Sequence, residues 1–181
     1  MIRIQPISKD TTCEKQQAIL TTVQKAMGGV PNLISTMAQS PAVANAYLGF
    51  SQALSQGSLP AKLRESISLA VGEANACQYC LSAHTVLGGK AGLSATDITQ
   101  ARHATAEDPK TAAALEFAKK VVTERGIVSD GDIAGLRAQG FDDGDIAEIV
   151  ANVALNIFTN YFNHIAGTEI DFPLAPSLKA G

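Results

Sequence analysis

The 181-residue sequence predicts an all-α fold, and three observations carry that expectation. Helix-starting and helix-stopping residues recur along the chain, apolar residues repeat at i, i+3 and i+4, and no alternating β-branched run is long enough to build a sheet. With 46% hydrophobic residues but only 6 Phe, 3 Tyr and no Trp, the core falls to Ala, Leu, Ile and Val, which suits close helix packing.

The elements follow in order. A first helix is expected over Thr11 to Met27, ended by Gly28-Gly29, and Pro31 turns the chain into a short helix over Asn32 to Ala38. Ser40-Pro41 opens the next, with Ser40 placed to cap and Pro41 at a position whose N–H would be unpaired anyway. Ser58 and Pro60 open another, whose Leu63, Ile67, Ala70, Val71 and Ala74 make an apolar stripe. A helix from Cys77 to Gly88 is expected to break at Gly88-Gly89 and Gly92. Ser94 with Asp97 is an approximate capping box for a short helix to His103. Asp108-Pro109 caps the helix carrying Leu115, Ala118 and Val121, and Asp130 to Gln139 forms a short one stopped by Gly140. The last long helix starts at Asp143. Its stripe of Ile146, Ile149, Val150, Val153, Ile157 and Tyr161, with a second line of Leu155, Phe158 and Phe162, predicts a central or subunit-interface position. From Gly167 to Gly181 the chain is expected to be extended.

A net charge of −3, from 14 Lys+Arg against 17 Asp+Glu, gives no footprint for a phosphate backbone, so nucleic acid is not an expected partner. The most apolar stretch, near Glu148 to Phe158, is interrupted by Asn152 and Asn156 well short of the ~20 residues that cross a bilayer. Met1 to Asp10 shows no basic stretch followed by an apolar run, and a cytoplasmic location is expected. Three cysteines are a poor disulfide framework, so in a reducing compartment Cys77 and Cys80 point to catalysis or metal binding.

Chemistry is concentrated in Cys77-Gln78-Tyr79-Cys80-Leu81-Ser82-Ala83-His84. On one helix Cys77, Cys80 and His84 share a face, with the two sulfurs within bridging range if Cys77 opens the helix. A thiol at a helix N-terminus beside an imidazole is a nucleophile in waiting. Two plainer readings stand beside it: half of a zinc site with His84 as a third ligand, which lacks a second Cys-x-x-Cys, and inert core cysteines beside a satisfied core histidine. No metal or cofactor is expected. Elsewhere His103 reads as a surface residue, Cys13 as a bystander, and His164 as a helix-end residue favoured by the dipole or as part of a substrate pocket or interface.

The spacing Glu-x11-Cys-x2-Cys-x3-His, met by Glu65, Cys77, Cys80 and His84, resembles the AhpD-like alkylhydroperoxidase group of the carboxymuconolactone decarboxylase superfamily. Leu63-Arg64-Glu65 before the pair and Gly92-Leu93-Ser94 after it strengthen the likeness. Asn160-Tyr161-Phe162-Asn163-His164 and Thr168 to Pro173 resemble the end of a peroxidase-related subgroup. The resemblance implies an AhpD-like helical domain over 31–173 with a helix pair bearing the cysteines, after an N-terminal helical extension (1–30) and before an extended tail (174–181). It also implies a thiol-dependent peroxidase for organic hydroperoxides or hydrogen peroxide, with Cys80 peroxidatic and Cys77 resolving. His84 would take the thiol proton and Glu65 would hold or relay it. A thiol reductant, either a lipoyl-type adaptor or a thioredoxin-like protein, and a homo-oligomer, trimer or hexamer, come with it.

Some residues depart from this pattern or leave it open. Tyr79 stands where the best-known branch has a histidine, and a neutral phenol cannot relay protons as an imidazole does, which leaves Tyr79 as a pocket-lining, substrate-binding candidate. Thioredoxin logic would favour Cys77 as attacker. Periodicity turns Glu65 away from its helix's apolar stripe, toward solvent or a second packed helix, with Glu73 as the rival carboxylate. The alternatives to a peroxidase are a dithiol–disulfide oxidoreductase with a protein partner and a non-catalytic oligomeric binder of a small apolar ligand.

Overall fold

The computed structural model describes residues 1–8 and 12–178, which form nine α-helices and no strand among the described residues. The helices are α1 (Glu14–Met27), α2 (Asn32–Met37), α3 (Pro41–Ser55), α4 (Ala61–Ala74), α5 (Gln78–Ala91), α6 (Ala95–Arg102), α7 (Pro109–Thr123), α8 (Asp130–Ala138) and α9 (Asp143–Ala166). The helix start expected at Thr11 and the last three residues of the expected tail lie outside the described residues. Within them, α1 opens after Cys13.

Local capping chemistry sets most boundaries. Capping boxes at Ser94/Asp97, Ser129/Asp132 and Asp142/Asp145, and the Asp108 carboxylate accepting from the Thr111 N–H, satisfy amides that a helix start leaves unpaired. Two helix openings differ from expectation. Ser40 occupies the cap position before Pro41 but makes no side-chain cap bond, and Pro60 rather than Ser58 precedes α4. Ser58 is turned to α9 instead: its hydroxyl donates to Asp145 at 2.6 Å and its amide to Glu148 at 2.8 Å.

Gly88 and Gly89 do not break α5, which continues to Ala91 and stops at Gly92 in the left-handed region (φ +94°). Gly88 serves packing: a Cβ there would meet Leu93 Cδ1 at 3.0 Å and the Glu65 Cβ at 3.8 Å. The missing side chain lets α5 lie close against α4.

Helix α4 is the hub, packing against α5, α6, α7 and α9. Ser66 through Gly72 are consecutively buried, so the helix has no long solvent face. Leu63, Ile67, Leu69, Ala70 and Val71 join Leu115, Ala118, Leu136, Ile149 and Val153 in the main core. A second cluster joins α1, α2 and α3 to Cys77, Tyr79 and Cys80 of the α5 region through Ile19, Val23, Leu33, Ile34, Met37 and Ala44.

The face that α9 buries differs from the expected stripe. Ile146, Ile149 and Val153 are buried, but Val150, Phe158 and Tyr161 are exposed, and the remaining buried positions include Asn152, Asn156, Thr159, Asn160 and Asn163. Hydrogen bonds make this burial tolerable. Asn156 donates to Ser68 Oγ (3.0 Å) and the Asn152 carbonyl, and Asn75 donates to Asn160 Oδ1 at 2.9 Å. The described part of the tail has no regular structure and straps the molecule: the Asn32 amide donates to Asp171, Gln78 to the Ala175 carbonyl, the Ala175 amide to Ser82, and buried Arg102 to the Pro176 carbonyl. No helix among the described residues is long and apolar enough to cross a membrane.

Candidate active site

The site is built by the turn between α4 and α5. At the end of α4 the Ala76 amide donates to the Glu73 carbonyl and the Cys77 amide to that of Gly72, with Ala76 held at φ +51°, a left-handed conformation unusual for a residue with a Cβ. The chain reverses there, so α5 runs back along α4. That fold-back brings together two side chains 19 residues apart: His84 Nδ1 lies 2.8 Å from Glu65 Oε2. The face of Glu65 that periodicity assigned to solvent or a second helix is met by α5. Glu73, the rival, is engaged elsewhere, accepting from Arg102 Nε at 2.7 Å.

Cys77 caps α5, and its sulfur accepts from the Cys80 amide at 3.3 Å. The two cysteines are joined as a disulfide with Cα atoms 5.3 Å apart. Both are buried, Cys77 at 1% and Cys80 at 3% exposure. They differ in what they face. Cys80 lines a small chamber of about 60 Å³ with His84, Tyr47, Tyr79, Asn163 and Phe172, whereas Cys77 is absent from that lining. His84 also lines a larger open cavity of about 580 Å³, which holds Glu65 and Arg64 and is walled by mixed apolar and polar residues of α1, α3 and α9. The imidazole therefore stands between the sulfur and the wider cavity.

Two phenols complete the chamber. The Tyr79 hydroxyl accepts the Leu33 amide at 3.1 Å, and its ring meets Phe172 edge-on at 5.7 Å. Burial, then the nearby Asp171 carboxylate, pushes its ionisation well above the ordinary tyrosine range, so it stays neutral. Burial and the Glu65 carboxylate push Tyr47 the same way. Tyr79 thus lines the chamber and fastens α2 over α5.

His164 is exposed and lines neither cavity, although its carbonyl accepts from Arg3. His103 ends α6 at the surface, and Cys13 is an exposed thiol. No group of three or more His, Cys, Asp or Glu able to hold a metal is present among the described residues. Sequence reasoning passed over Tyr47 and Asn163. A signal for Asn163 existed: Asn152, Asn156, Asn160 and Asn163 fall on one face of the most apolar helix, where polar groups need a reason.

Residues 41–124 match the model of the carboxymuconolactone decarboxylase family. Among solved structures, the chain is similar to an uncharacterized peroxidase-related protein with an alkylhydroperoxidase AhpD core from Ralstonia eutropha JMP134, at 27% identity and TM-score 0.83 over 94% of each chain. It is also similar to an uncharacterized peroxidase-related protein from Silicibacter sp. TM1040, at 22% identity and TM-score 0.80 over 92% of each chain. A third is the debrominase Bmp8 bound to 2,3,4-tribromopyrrole, at 20% identity and TM-score 0.80, covering 94% of this chain and 92% of that one. No curated protein matches at the sequence level.

Proposed function

The chain belongs to the AhpD-like group of the carboxymuconolactone decarboxylase superfamily, and from that premise we propose that it is a thiol-dependent peroxidase acting on organic hydroperoxides or hydrogen peroxide through Cys80 and Cys77. The observation that carries the reading is the Glu65–His84 contact at 2.8 Å, with that imidazole and Cys80 in one chamber. Glu65 fixes the ring through Nδ1, which leaves the other nitrogen for a proton from the thiol side.

In the reduced protein the Cys80 thiol gives its proton to His84, and the thiolate attacks the terminal oxygen of the hydroperoxide. An S–O bond forms as the O–O bond breaks. The alkoxide leaves with the proton held by His84, and Cys80 becomes a sulfenic acid. The Cys77 thiol, within bridging distance, displaces water and closes the disulfide, which an external dithiol reduces. Cys80 is the attacker because it, and not Cys77, lines the chamber with His84.

A lipoyl-type adaptor or thioredoxin-like protein would supply the reducing dithiol. Self-association as a trimer or hexamer is supported by Val150, Phe158, Tyr161 and Ile165, apolar and exposed on α9.

Stoichiometric cumene hydroperoxide added to the reduced protein should remove the thiols of Cys77 and Cys80 rapidly, with intact mass reporting an internal disulfide. Thiols that survive would defeat the peroxidase reading. Activity on a protein disulfide without any response to peroxide would make the chain a disulfide exchanger instead.

A further inference from the structure

The proton relay accounts for His84 and Glu65 but leaves a buried polar group beside the reacting sulfur without a task. Asn163, on the inner face of α9 and 5% exposed, lines the chamber with Cys80, and its Nδ2 donates to Cys80 Sγ at 3.3 Å. Its Oδ1 has no hydrogen-bond partner among the described residues. The orientation follows from chemistry: a disulfide sulfur offers lone pairs and no proton, so only the NH2 end of the amide can bond to it. Asn152 and Asn156, on the same helix face, donate to the Glu148 carbonyl and to Ser68, and Asn160 accepts from Asn75. Asn163 alone of the four is directed at sulfur.

A thiolate in this chamber needs such a donor. The titratable groups facing Cys80 are Cys77 at the start of its own helix, which is serine in the test below, His84 on that helix, Glu65 from α4 acting through His84, Tyr47 from α3, Tyr79 on α5, and Asp171 from the tail behind Tyr79. Both phenols are neutral and both carboxylates oppose a second negative charge. Apart from the imidazole once it takes the proton, no cation lines the chamber among the described residues, and an anion buried without hydrogen bonds is costly.

We propose that Asn163 is a catalytic residue: its Nδ2–H holds the Cys80 thiolate, and its Oδ1 accepts the O–H of the hydroperoxide that this thiolate attacks. The substrate half rests on the peroxidase reading; the thiolate half stands on the sulfur contact alone. The hydrogen bond to Oδ1 aims the terminal oxygen at the sulfur. When the S–O bond forms and the O–O bond breaks, that hydrogen stays on the transferred oxygen, now part of the sulfenic acid. The departing alkoxide takes the proton His84 received from the Cys80 thiol, so the exchange balances without another reactant.

The test uses the full chain carrying Cys77→Ser together with Cys13→Ser, which removes the exposed third thiol, so that Cys80 titrates and oxidises alone. Its thiolate is followed against pH by ultraviolet absorbance and by iodoacetamide alkylation, and its sulfenic acid by trapping after cumene hydroperoxide. Asn163→Ala should move the titration midpoint upward by about one pH unit, because a hydrogen bond to a charged group is lost. The isosteric Asn163→Asp, which keeps the packing if the alanine variant misfolds, should move it further. The rate of sulfenic acid formation per thiolate should also fall about tenfold in both. Asn160→Ala, about one turn earlier on the same buried face, should leave midpoint and rate unchanged. An unmoved midpoint, or an unchanged rate per thiolate, in a folded Asn163 variant overturns the proposal. A parent that forms no sulfenic acid refutes the peroxidase reading and with it the substrate half, while the titration still decides the thiolate half.

Discussion

The two ends of α9 handle polar groups in opposite ways. At its start Asp142, Asp145 and Glu148 are charged and near water, and all three carboxylates accept hydrogen bonds from backbone amides or the Ser58 hydroxyl. Toward its end Asn156, Asn160 and Asn163 are neutral and buried, and Asn160 Nδ2 and Asn163 Oδ1 lack partners among the described residues. Charge sits where solvent screens it and where its bonds hold loops. Lining the chamber beside Cys80 the protein uses amides and neutral phenols, and the carboxylates of Glu65 and Asp171 stand behind His84 and Tyr79. Structural polarity is satisfied in advance, whereas polarity at the site is held in reserve.

This contrast predicts that activity and stability separate along the helix. At the chemical end, His84→Asn should slow Cys80 oxidation by about a hundredfold at neutral pH, the usual loss on removing a general base. Glu65→Gln, which keeps the hydrogen bond but not the charge, should cost about tenfold. Stopped-flow measurement of sulfenic acid formation checks both, and equal losses would remove Glu65 from a merely supporting place. At the structural end, Glu148→Ala removes the acceptor for the Ser58 and Leu59 amides. It should cost about 1 kcal/mol by urea unfolding, allowing for partial exposure, and leave the oxidation rate unchanged. A rate change there would break the separation.

Acid should weaken the structural end. The Glu148 carboxyl is held below its ordinary value of 4.5 by the Ser58 and Leu59 amides, and Asp145 below 3.8 by the Ser58 hydroxyl. A carboxyl depressed in the folded state stabilises that state above its unfolded value and loses the contribution as pH falls through the folded one. Melting temperature should therefore decline below about pH 4, with Glu148→Gln showing a shallower acid limb. The smallest effect is expected at the site's hinge. Ala76→Gly should raise stability by about 0.5 kcal/mol, because φ +51° is unfavourable for alanine and open to glycine. Circular dichroism melts resolve that sign.

The same contrast governs what could be read from the sequence. Ser94 with Asp97, Asp108 before Pro109, and Gly140 act on their own backbone, so a local pattern reveals them. Cys77, Cys80 and His84 are legible because two successive helix turns place them on one face. Glu65 is legible through the family spacing and not through periodicity, because its partner comes from another helix by the fold-back at Ala76, which no turn residue announces. Gly88 reads as a breaker because its reason is the closeness of Leu93 and α4. The apolar stripe of α9 reads as a central or subunit-interface face because hydrophobicity outweighs asparagine in any periodic count, and the face buried within this chain takes Ile146, Ile149 and Val153 together with the amides and leaves Phe158 and Tyr161 exposed. Ser58 reads with Pro60 as the opening of α4 and instead bonds to α9.

Which sulfur attacks is tested most directly by treating reduced Cys77→Ser and Cys80→Ser with one equivalent of cumene hydroperoxide in the presence of a sulfenic acid trap, then locating the adduct by peptide mass spectrometry. A rapid adduct on Cys80 in Cys77→Ser, with none on Cys77 in Cys80→Ser, is the predicted result. An adduct on Cys77 while Cys80 remains a thiol would contradict the role given to the chamber that His84 and Cys80 share.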